Sequence, residues 1–202
     1  MAWINVPGVN QYLPQASRNN NAWEVYNYFH NLSQAWTVES IAAMAGNMDV
    51  ESTLNPGIEN TAGAYGLTQY LGSRKTTFVN WMSNHGYSSW TDGGGQCEFI
   101  NYSLTHNTET EAWYGRGGYT NSFSDFAYNT GSWGLYDLVD MFQYCFERVD
   151  IGNPSTQRRT RAAHYLEMYG GTPPGPTPGN VPAWLLYKYK GGNTHGHSTI
   201  LL

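Results

Sequence analysis

The chain has 202 residues, enough for one substantial hydrophobic core and an appendage but not for two independent enzymatic domains. Only 12% of the residues are charged and the net charge is −5, so a basic face able to track a phosphate backbone is excluded, and nucleic acid is not an expected partner. The 16 Tyr and 8 Trp, set among many Asn, Ser and Thr, suit a surface that meets uncharged, hydroxyl-rich ligands.

Residues 1–19 contain neither a charged leader nor a continuous apolar stretch, and no segment approaches the roughly 20 apolar residues of a membrane span. The expectation is a soluble chain without a secretion signal of its own. Pro7 and Pro14 mark an irregular lead-in. Trp23, Tyr26 and Phe29 or His30 then define one face of a first helix opened by Asn20 or Asn21. Thr37 caps a second helix, in which Val38, Ile41, Ala42, Ala45 and Met48 recur at helical spacing until Asn55-Pro56-Gly57 stops it.

Residues 57–72 are rich in glycine and turn formers with short apolar runs, which predicts a small irregular β layer. Helices are expected at 74–85, closed by Gly86, and at 95–106, where Cys97, Ile100 and Leu104 share a face. A short helix near 122–129 precedes the strongest amphipathic pattern, Leu135, Leu138, Val139, Phe142, Phe146 and Val149, read as a central core helix. Asn153-Pro154-Ser155 starts a last helix that runs to Tyr169 and is stopped by Gly170 and Gly171. Cys97 and Cys145 fall in helical patterns and read as two buried thiols, with a disulfide open if those helices meet.

The domain reading is therefore a folded unit over 1–171, a linker over 172–182 that holds five of the nine prolines, and a tail over 183–202. His195 and His197 in that tail lack the Cys or carboxylate companions of a metal site, and neither metal nor cofactor is expected.

One carboxylate stands out. Glu51 lies in the last turn of the second helix, on the flank of the stripe formed by Met44 and Met48. The negative end of the helix and partial burial both oppose its ionised form, which is the environment of a general acid.

Four ordered blocks, GNMDVESTLNPG, AYGLTQYLGSR, GQCEF and FQYCFERVDIGNPSTQRRTRAAHYLEMY, together resemble the phage tail lysozyme family within the lysozyme superfamily. The Glu-Ser pair followed by Asn-Pro and Gly-Leu-x-Gln is also similar to goose-type lysozymes and lytic transglycosylases. The resemblance covers residues 37–171. It implies a mainly α-helical α+β, lysozyme-like fold with a small irregular β layer, and it leaves the Pro-rich C-terminal extension unexplained.

It further implies a glycosidase that cleaves the β-1,4 bond between N-acetylmuramic acid and N-acetylglucosamine in bacterial peptidoglycan. The family's acid maps onto Glu51. A second carboxylate, as base or nucleophile, would come from Glu59, Asp92 or Glu147, with Glu59 the one carried forward. Tyr65, Gln69 and Tyr70, the last where the family usually has Trp, suit sugar binding, and Ser52 supports the site; the alternative is that Tyr65 and Tyr70 pack the small layer. FERVD resembles the family's Tyr-Glu-Arg-Pro string, so Glu147 and an arginine of the last helix, with Arg161 named, are expected to pair structurally. The motifs fit hydrolysis, transglycosylation assisted by the sugar's acetamido group, or an inactive wall-binding tail component. The implied setting is a phage tail, or host cytoplasm before release to the wall, with residues 172–202 reaching other tail proteins.

Overall fold

The computed structural model describes residues 2–149 and 156–171. The chain is mainly helical, with a two-stranded parallel sheet formed by β1 (Gly8–Val9) and β2 (Ile58–Glu59). Helix α1 spans Gln15–His30 and α2 spans Val38–Ser52; α3 (Gly72–Asn84), α4 (Gly93–Thr105), α5 (Asn107–Thr110), α6 (Phe123–Tyr128) and α7 (Leu135–Phe142) follow. A π-helical turn, Gln143–Glu147, extends α7, and α8 covers Thr156–Met168. The linker, the tail with His195 and His197, and the predicted start of the last helix at Asn153-Pro154-Ser155 lie outside the described residues.

Helix α2 is the axis of the molecule, packed by α1, α7 and α8. Thr37 caps it, its hydroxyl accepting from Ser40 N at 3.3 Å. Every residue from Ser40 to Asp49 is buried, so α2 is enclosed on all sides, as its run of Ile, Ala and Met allows. Gly46 permits this at α8: a Cβ there would sit 2.6 Å from Ala162 N and 2.7 Å from Ala162 Cβ.

Several elements differ from the sequence expectation. Helix α1 begins at Gln15, five residues before Asn20, because Pro14 holds the extended conformation of an N-cap, φ −69° and ψ 160°. Asn21 is instead a buried tie, donating to Ile4 O at 2.7 Å and Leu54 O at 2.8 Å. The lead-in thereby becomes part of the fold, and β1 pairs with β2. The expected central helix is α7 plus the π turn; Arg148 adopts a left-handed φ of 64° and ends it one residue before Val149. Asp92 is the N-cap of α4, accepting from Gly95 N at 2.8 Å, which removes it as a candidate for chemistry. Cys97 and Cys145 are both buried free thiols.

Because the Gly46 position is bounded by the backbone of α8, Gly46→Ala must push two helices apart. We expect a loss of about 1–3 kcal/mol, read as a fall in melting temperature of about 2–4 °C per kcal/mol for a chain of this size. An unchanged melting temperature would show that α2 and α8 are not held at this distance.

Candidate active site

Glu51 is the penultimate residue of α2, and the chain reverses immediately after it. Thr53 and Leu54 both adopt left-handed backbone conformations, φ 53° and 56°, each of which costs of order 1 kcal/mol or more for a residue with a Cβ. Local contacts hold them there. The Thr53 N–H donates to Asp49 O at 2.9 Å, its hydroxyl accepts from Leu13 N at 2.8 Å, and the Leu54 side chain is fully buried. Asn55 secures the next step by donating to Val6 O and Gln11 O while accepting from Val6 N and Gly57 N. The end of α2 is thus a built reversal, not a frayed terminus.

The small layer hangs from this end. The Ser52 hydroxyl lies buried between Met48 O at 2.8 Å and Leu67 O at 2.9 Å, so it braces the helix against the Gly-Leu-x-Gln segment and is not presented to a substrate. Gln96 of α4 joins both ends of the layer, accepting from Leu67 N and donating to Pro56 O, each at 2.8 Å. This accounts for the GQCEF block, for which the sequence offered no role.

At the carboxylate itself, Arg158 of α8 donates from Nη2 to Glu51 Oε1 and from Nη1 to Glu147 Oε2, the latter at 2.5 Å. The Arg158 side chain is 6% exposed, that of Glu147 2% and that of Glu51 25%, so Glu51 is the member of the cluster that meets solvent. Asn47 O and Oδ1 accept further bonds from Arg158 at 3.2 and 3.1 Å. Burial opposes the Arg158 charge, yet Glu147 and Glu51 together hold its proton more tightly than usual. For Glu147 two influences compete. Burial, with Glu51 adding to it, raises its proton affinity well above the usual 4.5, and this outweighs the ion pair with Arg158. Its second oxygen, Oε1, has no hydrogen-bond donor among the described residues.

The other predicted site residues distribute as follows. Glu147 does pair with an arginine of the last helix, but with Arg158; Arg161 is engaged by Asp49 Oδ2 at 3.4 Å and by Gln15. Asp49 is also bound by Arg18 and by the Tyr165 hydroxyl, which makes it a packing anion. Tyr70 is 2% exposed against Phe78, Phe99 and Phe146, so it packs the layer and cannot stack on a sugar. Tyr65 lies parallel to Trp90 at 4.0 Å and carries the Lys75 ammonium 3.5 Å from its centroid, leaving neither face open. Gln69 is half-buried and donates to Gly66 O at 2.8 Å; its side-chain oxygen has no partner among the described residues. Glu59 sits on β2 with its Oε1, like Lys75 Nζ, against Gly63.

Arg158 was legible in one respect. It shares the helical stripe of Ala162, Tyr165 and Tyr169, all buried, whereas Arg161 falls at the edge of that stripe. A guanidinium on an apolar face has to find carboxylates there.

A sequence profile described as phage tail lysozyme matches residues 20–169. The chain belongs to the phage tail lysozyme family. A curated relative, Morphogenesis protein 1 of Bacillus phage B103, is 31% identical over an alignment of 162 positions that covers 77% of this chain and 40% of the relative. The chain therefore spans about two fifths of that relative's length. The helical architecture with its small sheet is the lysozyme-like α+β fold expected of the family. Among the described residues of this lysozyme-family chain, no helix is long and apolar enough to cross a membrane, and no group of three or more His, Cys, Asp or Glu could hold a metal ion.

The raised proton affinity of Glu147 has a definite sign for stability. The folded chain holds this proton more tightly than the unfolded one, so the contribution is complete below about pH 4.5 and is lost as pH rises through the folded value. In Glu147→Gln that loss cannot occur, so the melting temperature of the variant relative to wild type should increase steadily from pH 5 to pH 8. A difference that stays flat or decreases contradicts the assignment.

Proposed function

We propose that the chain cleaves the β-1,4 bond between N-acetylmuramic acid and N-acetylglucosamine in bacterial peptidoglycan, with Glu51 as the general acid. The observation that carries this reading is the cluster at the end of α2, two carboxylates on one buried guanidinium with only Glu51 reaching solvent. With both acids ionised, the three side chains carry a charge of −1, so one proton makes them neutral. A sugar strand that expels water from Glu51 favours placing that proton on its oxygen, while Arg158 remains paired with Glu147. Glu51 then protonates the glycosidic oxygen as its bond to the anomeric carbon breaks; water adds to that carbon and its proton restores Glu51. Gln69 of the Gly-Leu-x-Gln segment holds the wall of the site in shape, its amide donating to Gly66 O.

A second reading, lytic transglycosylase on the same bond, is favoured by the state of the other carboxylates. Asp92 caps a helix and Glu147 is buried, which removes two of the three candidates and leaves Glu59 on β2. The substrate's acetamido oxygen can then stabilise the cation in place of a protein carboxylate, and the sugar's own hydroxyl adds to the anomeric carbon, closing an anhydro end and returning a proton to the Glu51 carboxylate. In either reading the chain acts as part of a phage particle or during its release. The family and the name of the relative support that setting, with residues 172–202 as the attachment to other tail proteins.

Digestion of purified peptidoglycan by wild type and Glu51→Gln, with released ends identified by mass spectrometry, tests both readings. The variant should be slower by about 10²–10⁴-fold, the range for loss of a positioned acid. Reducing ends identify hydrolysis and anhydro ends identify transglycosylation. No release by wild type leaves only wall binding without catalysis.

A further inference from the structure

A cavity of about 670 Å³ opens beside Arg148, one residue beyond Glu147, and its wall includes none of the acid cluster. Glu111, Trp113, Tyr114, Arg116 and Arg148 line it, and its volume falls in the roughly 300–1,000 Å³ range of small-molecule sites. Its two arginines are held unlike four others of the chain, though like Arg74, which donates to Phe146 O. Arg18, Arg158, Arg159 and Arg161 each face a carboxylate. Among the described residues, Arg116 and Arg148 are instead held by backbone carbonyls: Arg116 Nη1 donates to Arg148 O at 2.8 Å, and Arg148 Nη2 donates to Glu111 O. Arg148 Nε is buried without a partner. In a chain with 10 cationic side chains and a net charge of −5, two guanidinium groups on one wall, opposed by the single acid Glu111, make that wall locally positive.

The same wall presents a fixed aromatic surface. Tyr114 is 64% exposed, yet its backbone N–H is pinned to Cys145 O at 2.9 Å. Trp113 is clasped by Asn107 through both N–H and C=O, at 2.6 and 2.8 Å, and its indole N–H donates to Asn121 O at 2.8 Å. An exposed ring on a held backbone has little ordering left to do when a flat group stacks on it.

We propose that this cavity binds the acidic peptide stem carried by the muramoyl residue, with stem carboxylates on Arg116 and Arg148 and amide planes against Tyr114. The inference rests on the peptidoglycan reading, in which the sugar at the cleaved bond also bears the stem. It makes the chain a reader of stem-bearing strands in preference to bare glycan.

Calorimetric titration of the full chain tests it with three probes: a soluble stem peptide with free carboxylates, its carboxamide counterpart, and inorganic phosphate. The acidic peptide should bind, and Arg116→Gln and Arg148→Gln should each weaken it about tenfold, as should amidation. Tyr114→Ala, which removes an exposed ring, should weaken binding without changing thermal unfolding. Absence of peptide binding, equal binding of acid and amide forms, or indifference to all three substitutions overturns the proposal. Tighter binding of phosphate than of peptide also overturns it and points to a phosphate polymer. Since no bond is broken, the outcomes separate: binding without wall cleavage contradicts the proposed function alone, and cleavage without stem binding contradicts this inference alone.

Discussion

A buried guanidinium is the constraint from which the rest of the structure follows. Arg158 is nearly enclosed, and a charge in that position persists only if its donors are met by anions and dipoles. Glu147, Glu51 and Asn47 meet them from two directions, so α8, α2 and the π turn after α7 must converge on one point. Gly46, one turn before Val50, lets α8 come close enough for the convergence to occur. The π turn contributes as well: the widened helix ends in a left-handed Arg148, and Glu147 is presented inward at that end. Stability and candidate chemistry are therefore the same contact seen from two sides.

The second structural element of the account is the reversal after Glu51. Two successive left-handed residues, Thr53 and Leu54, bring the chain back over the helix end, where Ser52 and Gln96 fasten the small layer. Such strain persists only where the surroundings determine it, and here they do so through the lead-in segment, which supplies the Leu13, Val6 and Gln11 contacts. A carboxylate fixed in this way presents a defined oxygen to a ligand instead of sampling a loop's conformations, which is what proton transfer at a chosen atom requires.

Much of this was readable from residue order. The Thr37 cap and the place of Glu51 in the last turn of α2 came from helical period and capping chemistry, both local properties, whereas the helix ends at Ser52, ahead of the expected Asn55-Pro56 stop, because Thr53 and Leu54 turn left-handed. What could not be read were choices among equivalent residues. Arg158 and Arg161 have the same chemistry and lie three residues apart, and only the buried stripe of α8 separates them. Tyr65 and Tyr70 look like sugar platforms by type, but Trp90, Lys75 and the phenylalanines that cover them come from α3, α4, the loop between those helices and the π turn. Asn21 reads as a helix cap and serves as a tertiary tie, since the same amide chemistry satisfies either a helix end or the backbone of a neighbouring irregular segment. The positive cavity at Arg116 and Arg148 had no sequence signature, because its residues span the loop after α5 and the end of the π turn.

One guanidinium serves two carboxylates, and the enclosed one, Glu147, holds its proton more tightly than usual. Carbon-detected NMR of the Glu51 and Glu147 carboxyl groups, followed from pH 3 to pH 9, tests it most directly. Glu147 should titrate well above the usual range, and Arg158→Met, which removes the opposing cation, should raise it further. A Glu147 that ionises at an ordinary carboxylate pH, or that does not respond to Arg158→Met, would contradict this arrangement.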